Sequence, residues 1–280
     1  MGSAAIFTGD VPGSGPSMTR SDQAKSPVVG LPTHEWMRLA ALVTGRSHTE
    51  LRGGVTLTPA QQRRFDDLVA RRLSGEPLQY LEGTVVFGPV ELAVDQRVLI
   101  PRPETEYLFE LVGKLPAPSL VVDLCTGSGA LALALKKAFP TARVIGTDVS
   151  APALEVARAN GAANGLMVDW LEGDLFEAIP GDLAGKVDLL VANPPYVAEL
   201  DWARLPRDVQ REPRLALVAG PGGMEAAAQV LAGVRRWLRP SGEAWVEVGE
   251  DQAQALAAQF SGQVVADQYA CDRFVRVSRG

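Results

Sequence analysis

Cysteine and histidine are scarce in this 280-residue chain, with two of each. Cys125 and Cys271 are too few and too far apart in sequence for a disulfide framework or a thiolate zinc site. His34 and His48 add too little for a metal centre, so no metal is expected. No apolar run reaches the roughly 18 residues that span a bilayer, and the start lacks the basic-then-apolar pattern of a secretory signal. These absences point to a cytoplasmic protein without a membrane partner. Basic residues are outnumbered, 27 Lys and Arg against 33 Asp and Glu, for a formal net charge of -6. Binding long nucleic acid through its phosphates needs a dense basic face, so this balance speaks against a nucleic-acid partner.

What is present is an ordinary globular composition, 46% hydrophobic and 21% charged, enough for a sizeable core and two folded units. Residues 1–30 are rich in Gly, Ser, Pro and Thr and read as a disordered lead. Met18 is a candidate natural start, with residues 1–17 an added remnant. Trp36, Leu39, Ala40 and Val43 recur at helical spacing before Gly45. A second helix is capped by Thr58 with Pro59 and Gln61, and carries Phe65, Leu68, Val69 and Leu73 on one face. The domain boundaries expected are a helical domain over 31–83, a β-hairpin and linker over 84–116, and an α/β domain over 117–280. Val85–Phe87 and Val90–Val94 form the hairpin around Gly88-Pro89. Beyond Pro116 the apolar runs Leu120–Leu124, Arg143–Thr147, Val187–Ala192 and Glu243–Val248 alternate with helical stretches at 130–138, 151–163 and 223–238. Gln263–Ala266 and Phe274–Ser278 read as a final strand pair. Such alternation implies a mainly parallel sheet covered on both faces by helices, a Rossmann-like α/β fold.

The first of these strands hands over to a helix through Asp123-Leu124-Cys125-Thr126-Gly127-Ser128-Gly129. Glycines there permit a tight turn and close approach of a ligand, which suits a nucleotide-like molecule. Asp148 ends the second strand, where a carboxylate accepts hydrogen bonds from a ribose diol, and Asp174 follows a third strand near Val168–Leu171 within reach of an adenine amine. The loop alone leaves two ligands open. Gly127, Gly129 and Ala132 also fit the dinucleotide fingerprint, so a nicotinamide-dependent oxidoreductase stands beside a methyl-donor enzyme. Cys125 reads as a small loop residue rather than a nucleophile, with no histidine near it in sequence.

Asn193-Pro194-Pro195-Tyr196 follows directly on Val187–Ala192, at the carboxyl edge of the sheet where open α/β folds bind ligands. This sequence suits methyl transfer to a planar nitrogen, whose lone pair is delocalised and needs aiming. A side-chain amide oxygen and a main-chain carbonyl accept the two N–H bonds, prolines hold that carbonyl rigid, and Tyr196 packs on the planar group. A nicotinamide enzyme leaves this motif without a task, and a non-catalytic adaptor would be expected to have lost it. Arg204, Arg207, Arg211 and Arg214 form the notable basic cluster near the motif, readable as a solvated rim or as a phosphate-facing patch.

At these residues the chain resembles the peptide-chain release factor glutamine N5-methyltransferases. The resemblance extends to Gly75-Glu76-Pro77-Leu78-Gln79-Tyr80-Leu81-Glu82-Gly83, to Leu99-Ile100-Pro101-Arg102-Pro103-Glu104-Thr105-Glu106, and to Glu212-Pro213 with Ala216-Leu217 and Gly220. It covers roughly residues 35–280. It implies S-adenosylmethionine as cofactor, with Cys125, Thr126, Gly127, Ser128 and Gly129 lining its methionine end. Asp148 would hold the ribose, Asp174 and Leu175 flank the adenine, and Asn193 stand at the meeting point of cofactor and substrate. Asn193, Pro194, Pro195 and Tyr196 would clasp the glutamine amide of a release factor, the enzyme acting as a monomer. Another planar nitrogen, on a nucleic acid or a small molecule, is the alternative acceptor. The chain departs from the family in three places. The lead stands where an additional amphipathic helix usually opens the helical module. Gly222-Gly223 replaces an acidic-glycine pair, and Cys125 stands where glycine is common.

Overall fold

The structure, a computed structural model, describes residues 28–52 and 54–279. Residues 1–27, on which nearly all of the expected disordered lead and the position of the family's additional helix fall, lie outside the described residues. The chain divides into two compact units, Met1–Ala70 and Arg71–Gly280.

The first unit is helical, with α1 (Thr33–Thr44), α2 (His48–Leu51) and most of α3 (Pro59–Leu73). Local chemistry sets the ends. Gly45 adopts a left-handed φ of 70° and its N–H closes α1 on Ala41 O. Before α3, Gln61 N donates to Thr58 Oγ1 at 3.3 Å while Thr58 N donates to Gln61 Oε1 at 3.0 Å, the capping box expected from sequence. Leu39, Ala40, Val43, Phe65, Leu68 and Val69 are buried, and Trp36 meets Phe65 edge-on at 5.8 Å. Leu73 departs from the expected apolar face and is 48% exposed, because α3 ends there and no further turn covers it.

The second unit runs α4 (Leu78–Glu82), β1 (Thr84–Phe87), β2 (Val90–Ala93), α5 (Pro103–Val112), β3 (Leu120–Leu124), α6 (Ala130–Ala138), β4 (Arg143–Asp148), α7 (Ala151–Asn164), β5 (Asp169–Glu172), β6 (Val187–Ala192), β7 (Val197–Ala198), β8 (Val218–Gly220), α8 (Glu225–Trp237), β9 (Leu238–Glu247), α9 (Ala253–Phe260), β10 (Gln263–Ala266) and β11 (Asp272–Ser278). The seven-stranded sheet has the order β10-β11-β9-β6-β3-β4-β5. It is parallel from β9 through β5 and antiparallel at β11 and β10.

The pleat explains why the central strands are apolar throughout. Leu120, Val122 and Leu124 of β3, with Leu190 and Ala192 of β6, face α8 and α9, packing on Val230, Leu231, Val234 and Leu256. Val121, Leu189 and Val191 face the other way, onto α5, α6 and the β1–β2 hairpin, through Leu108, Val112, Leu131, Leu135 and Phe87. Two expectations are corrected. The stretch after the hairpin is not a plain linker but holds α5, with Pro103 in its first turn, Glu104 and Glu106 near its start, and Leu108 and Val112 on its buried face. The strand expected from Glu243 begins at Leu238, because Arg239–Gly242 bulges between the pairs Val187↔Leu238 and Leu189↔Glu243. Among the described residues no helix is long and apolar enough to cross a membrane.

Candidate active site

A cavity of about 320 Å³ opens at the carboxyl ends of β3, β4 and β6, beside the point where the chain crosses from β5 to β6. Its wall includes Cys125, Thr126, Gly127, Ser128, Asp148, Asp174, Leu175, Asn193 and Pro195, but not Gly129, Pro194 or Tyr196.

The β3–α6 loop is held by its own neighbourhood. Asp123 is buried, and its Oδ2 accepts from Thr126 Oγ1 at 2.5 Å and from Ala132 N at 3.1 Å. Burial pushes this carboxyl up to about 7, against the pull of those two hydrogen bonds. Asp148 accepts from Gly127 N at 2.9 Å through Oδ2 and from Ser150 N at 2.9 Å through Oδ1; burial raises its pKa as well. Gly129 turns the loop into α6 with φ 83°, and a Cβ there would lie 2.8 Å from Trp170 Cη2, so only glycine fits. Cys125 takes φ 58° without being glycine, and burial raises its thiol pKa, so it stays a neutral thiol. Three loop N–H groups are already engaged: Thr126 N on Thr147 O, Gly127 N on Asp148, and Gly129 N on Thr126 O.

The opposite side is held by side chains from distant segments. Asn193 Nδ2 donates to Thr105 Oγ1 at 2.9 Å, and Thr105 Oγ1 donates to Glu247 Oε2 at 2.8 Å. Glu247 is buried at the end of β9, which pushes its carboxyl up to about 7. At the other end of the motif, Gln252 Nε2 donates to Tyr196 O at 2.8 Å and to Gly223 O at 3.2 Å. Burial, then the Glu247 charge, push the Tyr196 phenol up to about 12, so it is neutral at physiological pH. A Cβ on Gly223 would lie 2.8 Å from Tyr196 O, which explains why a glycine turn passes there.

The three sequence stretches outside the two motifs converge on the same mouth. Tyr80 OH donates to Val98 O at 2.6 Å. Glu212, with its side chain 2% exposed, pairs with Arg102 Nη2 at 2.6 Å and accepts Ile100 N at 2.9 Å, fixing Leu99 and Pro101 against Pro213 and Ala216 in the cavity wall. The basic cluster is largely tied up locally: Arg204 pairs with Asp201 at 2.8 Å, Arg214 pairs with Glu199 and covers Trp202, and Arg211 donates to Ser74 O. Sequence reasoning assigned no role to Glu247 or Gln252. A carboxylate between Val246 and Val248, at the end of the apolar run Ala244–Val246, was an available signal for the first; nothing comparable marked the second.

The family model for the methyltransferase small domain matches residues 105–208, and that for the PrmC N-terminal domain matches residues 24–83. The release factor glutamine methyltransferase of Deinococcus radiodurans is 40% identical over 238 residues, 82% of this chain and 84% of that one. Its counterpart in Bordetella pertussis is 42% identical over 236 residues, 82% of this chain and 86% of that one. A solved methyltransferase from Pyrococcus furiosus matches the fold with a TM-score of 0.52 at 18% identity, covering 78% of this chain and 98% of that one.

Proposed function

This chain belongs to the family of release factor glutamine methyltransferases, and from that premise we propose that it transfers a methyl group from S-adenosylmethionine to the side-chain amide nitrogen (N5) of the glutamine in the Gly-Gly-Gln loop of peptide chain release factors. The observation that carries the reading is the placement of Asn193-Pro194-Pro195-Tyr196 at the carboxyl end of β6, beside a cavity lined by Asp123, Asp148 and Asp174 and by Cys125 to Ser128 of the β3–α6 loop.

The cavity fits a cation that carries a diol and a base. Asp123, Asp148 and Asp174 stand in the wall against one arginine, Arg97, and Val149, Ala153 and Leu175 offer apolar surface. A dinucleotide suits it less well, because the loop N–H groups of Thr126, Gly127 and Gly129 that would cradle a pyrophosphate are already engaged. In this reading Cys125 to Gly129 hold the methionine end. Asp148 receives the ribose hydroxyls on its remaining lone pairs, and Asp174 with Leu175 flank the adenine.

When bound, S-adenosylmethionine supplies an electrophilic methyl on a sulfonium. The protein's task is to make an amide nitrogen behave as a nucleophile. Asn193 Oδ1 and a main-chain carbonyl stiffened by Pro194-Pro195 accept the two N–H bonds of the glutamine amide, which draws its lone pair out of the plane and aims it at the methyl. Tyr196, neutral and half-buried, limits the amide's rotation. Cys125 to Gly129 and Asp148 would hold that donor with its methyl toward the oriented nitrogen, and the nitrogen, made acidic once methylated, would release its proton to solvent.

Residues 31–83 are assigned to recognition of the protein substrate, 84–116 to the border of the site, and 117–280 to methyl transfer. Cytoplasmic, monomeric action without nucleic acid completes the reading. Its test is transfer of labelled methyl from S-adenosylmethionine to a full-length release factor. Label is expected on the loop glutamine, with a fall of roughly 100–1000-fold in rate for Asn193→Ala and no label when that glutamine is replaced. A wild-type protein that binds the cofactor yet labels no release factor would overturn it.

A further inference from the structure

We infer that Thr105 and Glu247 form a positioning relay that fixes which end of the Asn193 side-chain amide faces the cavity. The inference rests on the proposed methyl transfer, in which Asn193 must present oxygen rather than NH₂ to its substrate.

The three groups come from separate parts of the second unit. Thr105 lies in the first turn of α5, Asn193 follows β6, and Glu247 ends β9, the strand paired in parallel with β6. Thr105 is 5% exposed and Glu247 1%. The hydrogen bonds are 2.9 Å from Asn193 Nδ2 to Thr105 Oγ1 and 2.8 Å from Thr105 Oγ1 to Glu247 Oε2.

A hydroxyl has one proton to give. Glu247, pushed up to about 7 by burial, is ionised above that pH, and an ionised carboxylate only accepts, so there the Thr105 proton is committed to Glu247 and Oγ1 turns a bare lone pair toward Asn193. Only the NH₂ end of the amide satisfies that lone pair, and Oδ1 is therefore directed to the other side. Without the carboxylate, Thr105 could donate to Oδ1 as readily as accept from Nδ2. Both amide orientations would then be populated, and one of them sets NH₂ against the NH₂ of the substrate.

Glu247 is poorly suited to a purely structural role. Among the described residues its Oε1 has no hydrogen-bond partner, and a buried carboxylate with an idle oxygen costs stability that an apolar side chain of the same length would not. Arg102 and Glu104 ahead of and in α5, Arg273 in β11 and the Tyr196 phenol are the charged or titratable groups that act on it. Arg102 and Arg273 favour its charge and Glu104 opposes it, and the two arginines are ion-paired with Glu212 and Asp267 instead, so neither countercharge accounts for the carboxylate. Setting the polarity of the Thr105 hydroxyl does.

The experiment compares Thr105→Val, Thr105→Ser, Glu247→Met and wild type for kcat and KM with a full-length release factor, for S-adenosylmethionine affinity, and for melting temperature. The relay predicts that Thr105→Val and Glu247→Met lower kcat by roughly 10–100-fold while cofactor Kd changes by less than about threefold. Thr105→Ser, which keeps the hydroxyl, is expected to stay within about threefold of wild-type kcat, and Glu247→Met to melt no lower than wild type. Should Glu247→Met not fold, the Thr105 pair decides alone. Wild-type transfer with undiminished kcat in Thr105→Val, or a rate loss in Thr105→Ser as large as in Thr105→Val, overturns the relay and leaves the methyltransferase reading standing. No transfer by wild type overturns both.

Discussion

On the β3–β4 side of the cavity, the wall is main chain tied to residues relatively close by: Thr126 hangs on Asp123, Gly127 on Asp148, 21 residues on, and Ser128 O on Asn160, 32 residues on. On the β6 side, the motif is tied to residues far along the chain. Asn193 is held by Thr105, 88 residues earlier, Thr105 by Glu247, 142 residues later, and Tyr196 by Gln252, 56 residues later. The side proposed to hold a constant ligand is thus self-contained, whereas the side proposed to orient an acceptor is adjustable only through the packing of the whole sheet. Damage to the first is expected to appear in fold and cofactor affinity together, and damage to the second in rate while cofactor affinity holds.

Gly129→Ala is the strongest way to sharpen that contrast. It places a Cβ 2.8 Å from Trp170 and 3.3 Å from Ala157 and Leu133 at a φ of 83°. Destabilisation of roughly 2–4 kcal/mol is expected from strain and overpacking, with cofactor affinity falling at least about tenfold; denaturant melts and a cofactor titration check it. Gln252→Ala strips partners from Tyr196 O and Gly223 O and is expected to cost about 1–3 kcal/mol. Its kcat should fall by roughly tenfold while cofactor affinity holds, and an equal loss of affinity would break the distinction between the two walls.

A pH series tests the polar interior of both walls. Asp123 and Glu247 are each pushed up to about 7 by burial, so between their ordinary values, 3.8 and 4.5, and about 7 the folded state holds protons that the unfolded state has released. Stability from these groups is complete at the acid end of that window and is lost as pH rises through about 7. Glu247→Gln is expected to flatten the slope by about half, read as unfolding free energy against pH. The smallest effect belongs to the rim, where Arg204→Ala removes a single exposed pair with Asp201 and should change stability by less than about 0.5 kcal/mol.

The same contrast governs how far the sequence could be read. The β3–α6 loop and the Asn193–Tyr196 motif are contiguous, each abutting an apolar strand, so short-range chemistry places both at the sheet edge. The hairpin and the capped α3 were legible for the same reason. Helix α5 was missed because Leu99–Glu106 drew attention as a motif, while its helical period of Leu108 and Val112 is only two turns long. Glu247 stands out locally as a carboxylate beside an apolar run, but its role and those of Thr105 and Gln252 were beyond local reading, since they exist only once β9 lies beside β6 and α5 packs across the same face. Arg102 and Glu212 stood in recognised stretches, but nothing in either stretch says that one neutralises the other.

The insertion of β9 between β6 and β11 has a consequence for the order in which the molecule becomes competent. A nascent or partly unfolded chain in which β9 has not docked already contains β3, β4, α6 and the loop with all its ties, yet lacks Glu247 and the Gln252 that follows it. Such a species could hold its donor without being able to use it. Readiness to react is therefore a report on the completed sheet, and a chain loosened at its carboxyl-terminal strands falls silent before it comes apart.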